Sequence, residues 1–228
     1  MSPGTFLENA FIYGIPLIFA ITLHEAAHGY VAMMFGDPTA KNAGRLSLNP
    51  IKHVDPFGTV LMPGLLIAFG SPFVFGYAKP VPVSFWRLEH PKRDMIFVAL
   101  AGPLTNIALA YISTLFLLLA SILEGSAQHF LSAMSLFSIY INVTLALFNL
   151  LPIPPLDGSR VLAGILPREF GRYFDELERY GMFILLGLIV ILPLIARQLG
   201  FEFNLLSWIL SEPIEWTVRF IATSVGLR

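Results

Sequence analysis

Apolar positions run through this chain in long stretches that charged residues barely interrupt. Between Glu8 and Asp37 the only formal charge is Glu25, and residues 57–78, 95–123 and 125–156 contain no Asp, Glu, Lys or Arg. A helix crosses a bilayer with about 20 predominantly apolar residues, so several of these runs are long enough to span one.

Residues 6–35 predict one long helix, apolar on most faces. Turn formers dominate 37–58, where a short alternating piece around Gly44–Leu48 predicts an extended strand or hairpin. Residues 57–76 are apolar but broken by Pro63, Gly64, Gly70, Pro72 and Gly76. A polar, basic linker follows over 77–94. Residues 95–123 and 130–151 predict spanning helices, and Pro152, Pro154 and Pro155 must end the second. Residues 168–180 are charged and read as loop or amphipathic helix, and 181–196 predict another span. Residues 203–225 are apolar but hold Glu212, Pro213 and Glu215, a pattern that fits either a span or an interfacial helix. The expected fold is an all-α polytopic membrane protein of about five to six membrane segments. It includes a short strand or hairpin and a re-entrant segment after the first helix, in a single integral-membrane domain over 1–228.

Composition agrees. The chain is 56% hydrophobic and 13% charged, with a mean hydropathy of +0.73, outside the range of soluble globular domains. Its net charge of −1 and lack of a basic block give nucleic acid nothing to bind. The absence of cysteine removes disulfides, thiolate metal sites and a thiol nucleophile. The first Lys or Arg is Lys41, so the N-terminal run lacks the basic flank of a cleavable signal and is expected to stay as a helix.

Within the first apolar run lies "HEAAH", residues 24–28. His24 and His28 are spaced i, i+4, so a helix projects both imidazoles from one face, within reach of one ion. Glu25 points to the side of that pair, placed to act on a bound water. Chance yields this spacing about 0.005 times in a chain of this composition. Ionisable side chains within a spanning helix cost about 2.5–3.5 kcal/mol each on insertion scales, which favours a functional role. Zinc needs a third protein ligand and an open fourth position. His129 and His90 read as solvated surface residues. His53, in "IKHVDP", is a candidate, and Asp157 is the stronger one. Asp157 follows a 32-residue run without formal charge and sits after "PIPP", although an ordinary helix N-cap would also explain it. Asn106 reads mainly as an amide that hydrogen-bonds a neighbouring helix. Asn149, at the helix break, is placed where an amide N–H could face a developing oxyanion.

These residues carry a family resemblance. "HEAAH" (24–28), "AGPLTN" (101–106) and "NLLPIPPLDG" (149–158), with "GRLSLNPIKHVDP" and "GYAKPVPV" between them, resemble the site-2 protease family of intramembrane zinc metalloproteases in its compact prokaryotic form. The likeness covers about residues 10–165. It implies that His24, His28 and Asp157 bind one Zn2+, that Glu25 is the general base, and that Asn149 positions substrate or stabilises the oxyanion. It also implies a catalytic core over about 6–165, followed by C-terminal helices over 166–228. Membrane-anchored proteins, cut in or near their spanning segment, become the expected substrates. The competing class is an ion-coupled transporter or channel with a midplane ion site.

Lysine and arginine mark the cytoplasmic side. Lys41, Arg45 and Lys52 follow the first helix; Lys79, Arg87, Lys92 and Arg93 follow the Gly/Pro-broken segment; Arg160, Arg168, Arg172 and Arg179 follow the proline break. If 57–76 crossed the membrane, His24 and Asp157 would lie toward opposite faces and could not share an ion. A re-entrant 57–76 brings both to the cytoplasmic half of the cell membrane, and buried non-helical backbone at that depth is tolerated. A spanning substrate must also exchange its helical hydrogen bonds for new partners. The Gly44–Leu48 segment either offers a strand edge for that exchange or is a plain connecting loop.

Overall fold

The computed structural model describes residues 3–62, 64–65, 79–201 and 203–227. Helix α1 (Pro3–Met34) carries the HEAAH stretch and is followed by the short α2 (Thr39–Asn42). Helix α3 (Pro91–Ala120) begins at a proline, whose missing N–H is harmless in a first turn. Asp94 reaches back to accept the His90 N–H at 2.7 Å, which sets the start of α3 a few residues before its apolar run. Helix α4 (Gly125–Asn149) ends where the prolines begin, and a cis Pro154–Pro155 bond lies in the irregular stretch that follows. Then come α5 (Asp157–Ile165), α6 (Arg168–Leu186), a π-helical turn at Gly187–Ile191, α7 (Leu192–Gln198) and α8 (Leu205–Ser224).

Among the described residues, four helical stretches are long and apolar enough to cross a membrane: Leu7–Met34, Pro91–Ala120, Gly125–Asn149 and Glu176–Gln198. The polytopic all-α expectation holds. Residues 168–180, read as loop or amphipathic helix, continue directly into the fourth stretch. Among the described residues there is no strand, so the expected strand at Gly44–Leu48 does not form. Instead the Gly44 and Arg45 N–H groups bond back to the Lys41 and Ala40 carbonyls at 2.9 Å each. These bonds close a turn after α2 and take the donors a strand would need.

Three helices form the centre. Phe35 stacks on Phe97 at one end of the α1–α3 pair, while His24 meets Asn106 further along, so α1 and α3 are antiparallel. Asn106 meets Asn142, and Ser113 meets Ser138, so α3 and α4 are antiparallel too. Helices α1 and α4 are therefore parallel, and His24 and Asp157 reach the same end of the bundle. Most of 57–76, the expected re-entrant segment, lies outside the described residues. Its flanks are described, and they meet: the Lys79 N–H donates to the His53 carbonyl at 2.9 Å, and the Glu89 N–H to the Phe35 carbonyl at 3.0 Å. The chain between α1 and α3 leaves and returns at one end of the bundle.

Candidate metal centre

Helix geometry puts His24 and His28 on one face of α1, and tertiary hydrogen bonds orient each ring. The His24 Nδ1 lies 2.6 Å from the Asn106 Oδ1. The Asn106 Nδ2 donates to the Asn142 Oδ1 at 2.8 Å and to the Ala20 carbonyl at 3.2 Å, which assigns the amide's orientation. The His28 Nδ1 lies 2.7 Å from the Val98 carbonyl oxygen. Both partners can only accept, so each Nδ1 carries the proton and each Nε2 presents a lone pair.

Those lone pairs converge. The two Nε2 atoms are 3.1 Å apart, and the Asp157 Oδ2 lies 3.2 Å from the Nε2 of His24 and 3.3 Å from that of His28. This carboxylate oxygen is buried and receives no hydrogen bond from the described residues. Three electron-rich atoms held together in this way repel unless a cation joins them. A tetrahedral zinc ion with bonds of about 2.0–2.1 Å separates its ligands by about 3.3 Å. The donor set and its spacing fit that ion.

Two glycines make the convergence possible. A Cβ on Gly102 of α3 would fall 2.4 Å from the His28 Nε2 and 2.6 Å from the His24 Nε2. A Cβ on Gly158 would fall 2.1 Å from the Leu150 carbonyl oxygen, so only glycine lets the start of α5 fold back on the end of α4. Asp157 is the first residue of α5, and Leu156 is its N-cap. The carboxylate faces the histidines and makes no capping hydrogen bond.

The donors open on a cavity of about 190 Å³, lined among others by Glu25, Val81, Asn149, Asp157 and Arg160. Glu25 is half-buried, and its Oε2 accepts the Val81 N–H at 2.8 Å. Asn149 reaches the cavity wall, where its Nδ2 donates to the Leu145 carbonyl one turn back at 2.9 Å. His53 is buried elsewhere, its Nε2 2.8 Å from the Ser47 carbonyl oxygen. His90 and His129 are exposed.

Sequence reasoning missed three contributors. Asn106, read as packing, orients a histidine of the centre, and Asn142 backs it. An amide one turn beyond "GP" and another in an apolar run were the available signals. Arg160, read only as a loop charge, lies over the Phe85 ring at 4.4 Å and pairs with Glu178 of α6, closing one cavity wall. Nothing in the local sequence indicated that placement.

A bundle of apolar helices around a buried His–His–carboxylate centre, with a glutamate beside the first histidine, defines a membrane-embedded metallopeptidase. The model for peptidase family M50 matches residues 119–192. The chain is 43% identical over 183 residues to "Putative zinc metalloprotease YwhC" of Bacillus subtilis, covering 77% of this chain and 78% of that protein. It is 31% identical over 191 residues to "Putative zinc metalloprotease Rip2" of Mycolicibacterium smegmatis, covering 84% of this chain and 70% of that protein. With "Putative zinc metalloprotease MJ0611" of Methanocaldococcus jannaschii it shares 32% identity over 171 residues, 68% of this chain and 78% of that protein. No solved structure matches the chain significantly. The chain belongs to peptidase family M50, the site-2 protease family, and is a zinc metalloendopeptidase.

Proposed function

We propose that this protein hydrolyses peptide bonds in or near the spanning segments of membrane-anchored proteins, with its site in the cytoplasmic half of the bilayer. The carrying observation is the convergence of His24, His28 and Asp157 between spanning helices, beside a cavity that Glu25 and Asn149 also line. His24, His28 and Asp157 hold the zinc. When bound, zinc supplies Lewis acidity, which makes water nucleophilic near neutral pH and polarises the scissile carbonyl.

The chain's own residues do the rest. Glu25 accepts the proton of the attacking water on its carboxylate and returns it to the departing amine. Two hydrogen bonds, donated by the imidazole Nδ1–H groups to the Asn106 Oδ1 and the Val98 carbonyl oxygen, fix the tautomer and aim each ring. Asn149 retains a second amide hydrogen beside the one given to Leu145, and turns it toward the substrate carbonyl as charge develops there.

The test is a panel of single-span substrates in liposomes, with and without a zinc chelator. Cleavage within the lipid-embedded segment, abolished by chelation, is expected. Glu25→Gln should keep zinc and lose about 10²–10⁴-fold in turnover, since an amide cannot take the proton. Near-normal turnover in that variant would remove Glu25 from the general-base role.

A further inference from the structure

Helix α8 packs along the bundle: Leu210, Ile214 and Ile221 share a buried cluster with Ala110 of α3 and Val143 of α4. Leu206 packs with Leu156, Leu185 and Ile189 near the metal-site end. Twenty helical residues extend about 30 Å, the thickness of the hydrocarbon core. The helix therefore stands beside spanning helices at their depth.

Its exposed surface carries Trp208, Trp216 and Phe220 and, beside them, a polar row. Ser207, Ser211, Glu215, Arg219 and Thr223 follow one another at intervals of four, and all are exposed. Arg219 donates to Glu215 at 3.2 Å, and Ser211 bonds the Ser207 carbonyl at 2.5 Å. Glu215 lies ten residues into the helix, about 15 Å from its start, close to mid-bilayer. Charges facing lipid there are costly, and they face protein or water instead. An i, i+4 row is also the ridge through which helices cross in right-handed pairs, and small residues at that spacing allow close approach.

We propose that this face of α8 joins two copies of the protein within the bilayer. The charge pattern selects a second copy. A twofold axis along the bilayer normal gives both copies the same topology and places equivalent residues at one height. Arg219 already points back one turn toward Glu215, so across such an axis it reaches the partner's Glu215, and the reverse pair forms as well. Ser207 and Ser211 let the two helices approach above that crossing.

The natural absence of cysteine makes the test direct. In the full chain in native membranes, Ser211→Cys should form a disulfide-linked dimer under mild oxidation, whereas Leu115→Cys on the outer face of α3 should not. In the Ser211→Cys background, Glu215→Arg and Arg219→Glu should each reduce dimer yield about three- to tenfold, the scale of one interhelical polar contact. Co-expressing the two single variants with different tags should restore a mixed dimer, because one stripe is then wholly basic and the other wholly acidic; that rescue also shows that both variants fold. Dimer yield at position 211 no higher than at 115, yields insensitive to the charge changes, or no rescue on mixing would each overturn the proposal.

Discussion

A metal centre of three protein donors tolerates the loss of none. Among the described residues, Asp157 supplies the only carboxylate oxygen touching both imidazoles, while His53 spends its Nε2 on the Ser47 carbonyl. Asp157→Ala should therefore lose both bound zinc and activity, and His53→Ala should keep the metal; zinc per chain after gel filtration measures both. Asn106 holds the His24 proton on Nδ1, so Asn106→Leu should weaken zinc binding about 10–100-fold, read by competition with a chelator. That hydrogen bond joins residues 82 apart. The motif spacing made the two histidines legible along one helix, but no local pattern announces which distant amide fixes their tautomer.

At the scale of elements, the irregular segment 79–84 lies over α1 between two carboxylates. Glu25 accepts the Val81 N–H at one end. At the other end the fully buried Asp37 accepts the Ser84 N–H at 2.6 Å, the Thr39 N–H at 3.0 Å and the Thr39 hydroxyl. Each buried donor left unpaired costs about 1–3 kcal/mol, so Asp37→Ala should release the segment rather than strain it. The expected result is unchanged zinc content, at least about tenfold lower proteolysis, and faster thiol labelling of a Val83→Cys reporter. Unaltered labelling would show that Asp37 does not hold the segment. Gly44–Leu48 predicts a strand because its side chains alternate; the segment that lies beside the site contains two prolines and carries no strand signal.

For the whole molecule, one ion joining α1 and α5 requires that the chain between α1 and α3 begin and end on one side. The hydrogen bond from the Glu89 N–H to the Phe35 carbonyl meets that requirement; the function proposed above puts that side in the cytoplasm, the side on which loop Lys and Arg accumulate. Lys52→Cys and Glu89→Cys, both exposed positions, should react with a membrane-impermeant thiol reagent only from the cytoplasmic face. Gln128→Cys, in the first turn of α4 at the opposite end, should react only from outside. Labelling of 52 and 89 from opposite faces would break the shared-ion geometry.

The sequence by itself determined the spans, the helix break after Asn149 and the His–Glu–His presentation. Lipid selects long apolar runs, proline ends a helix wherever it falls, and an i, i+4 spacing shares a face on any helix. Tertiary structure alone decided what those elements do together. Gly102 and Gly158 matter because of atoms 2.1–2.6 Å from where their side chains would be, and those atoms belong to other elements. Asn106 reaches His24 and Arg160 reaches Phe85 and Glu178 only after the helices have packed, with α3 antiparallel to both α1 and α4. Periodicity records how one element meets its solvent; which polar groups meet across a bundle depends on helix order and depth, which no single element encodes.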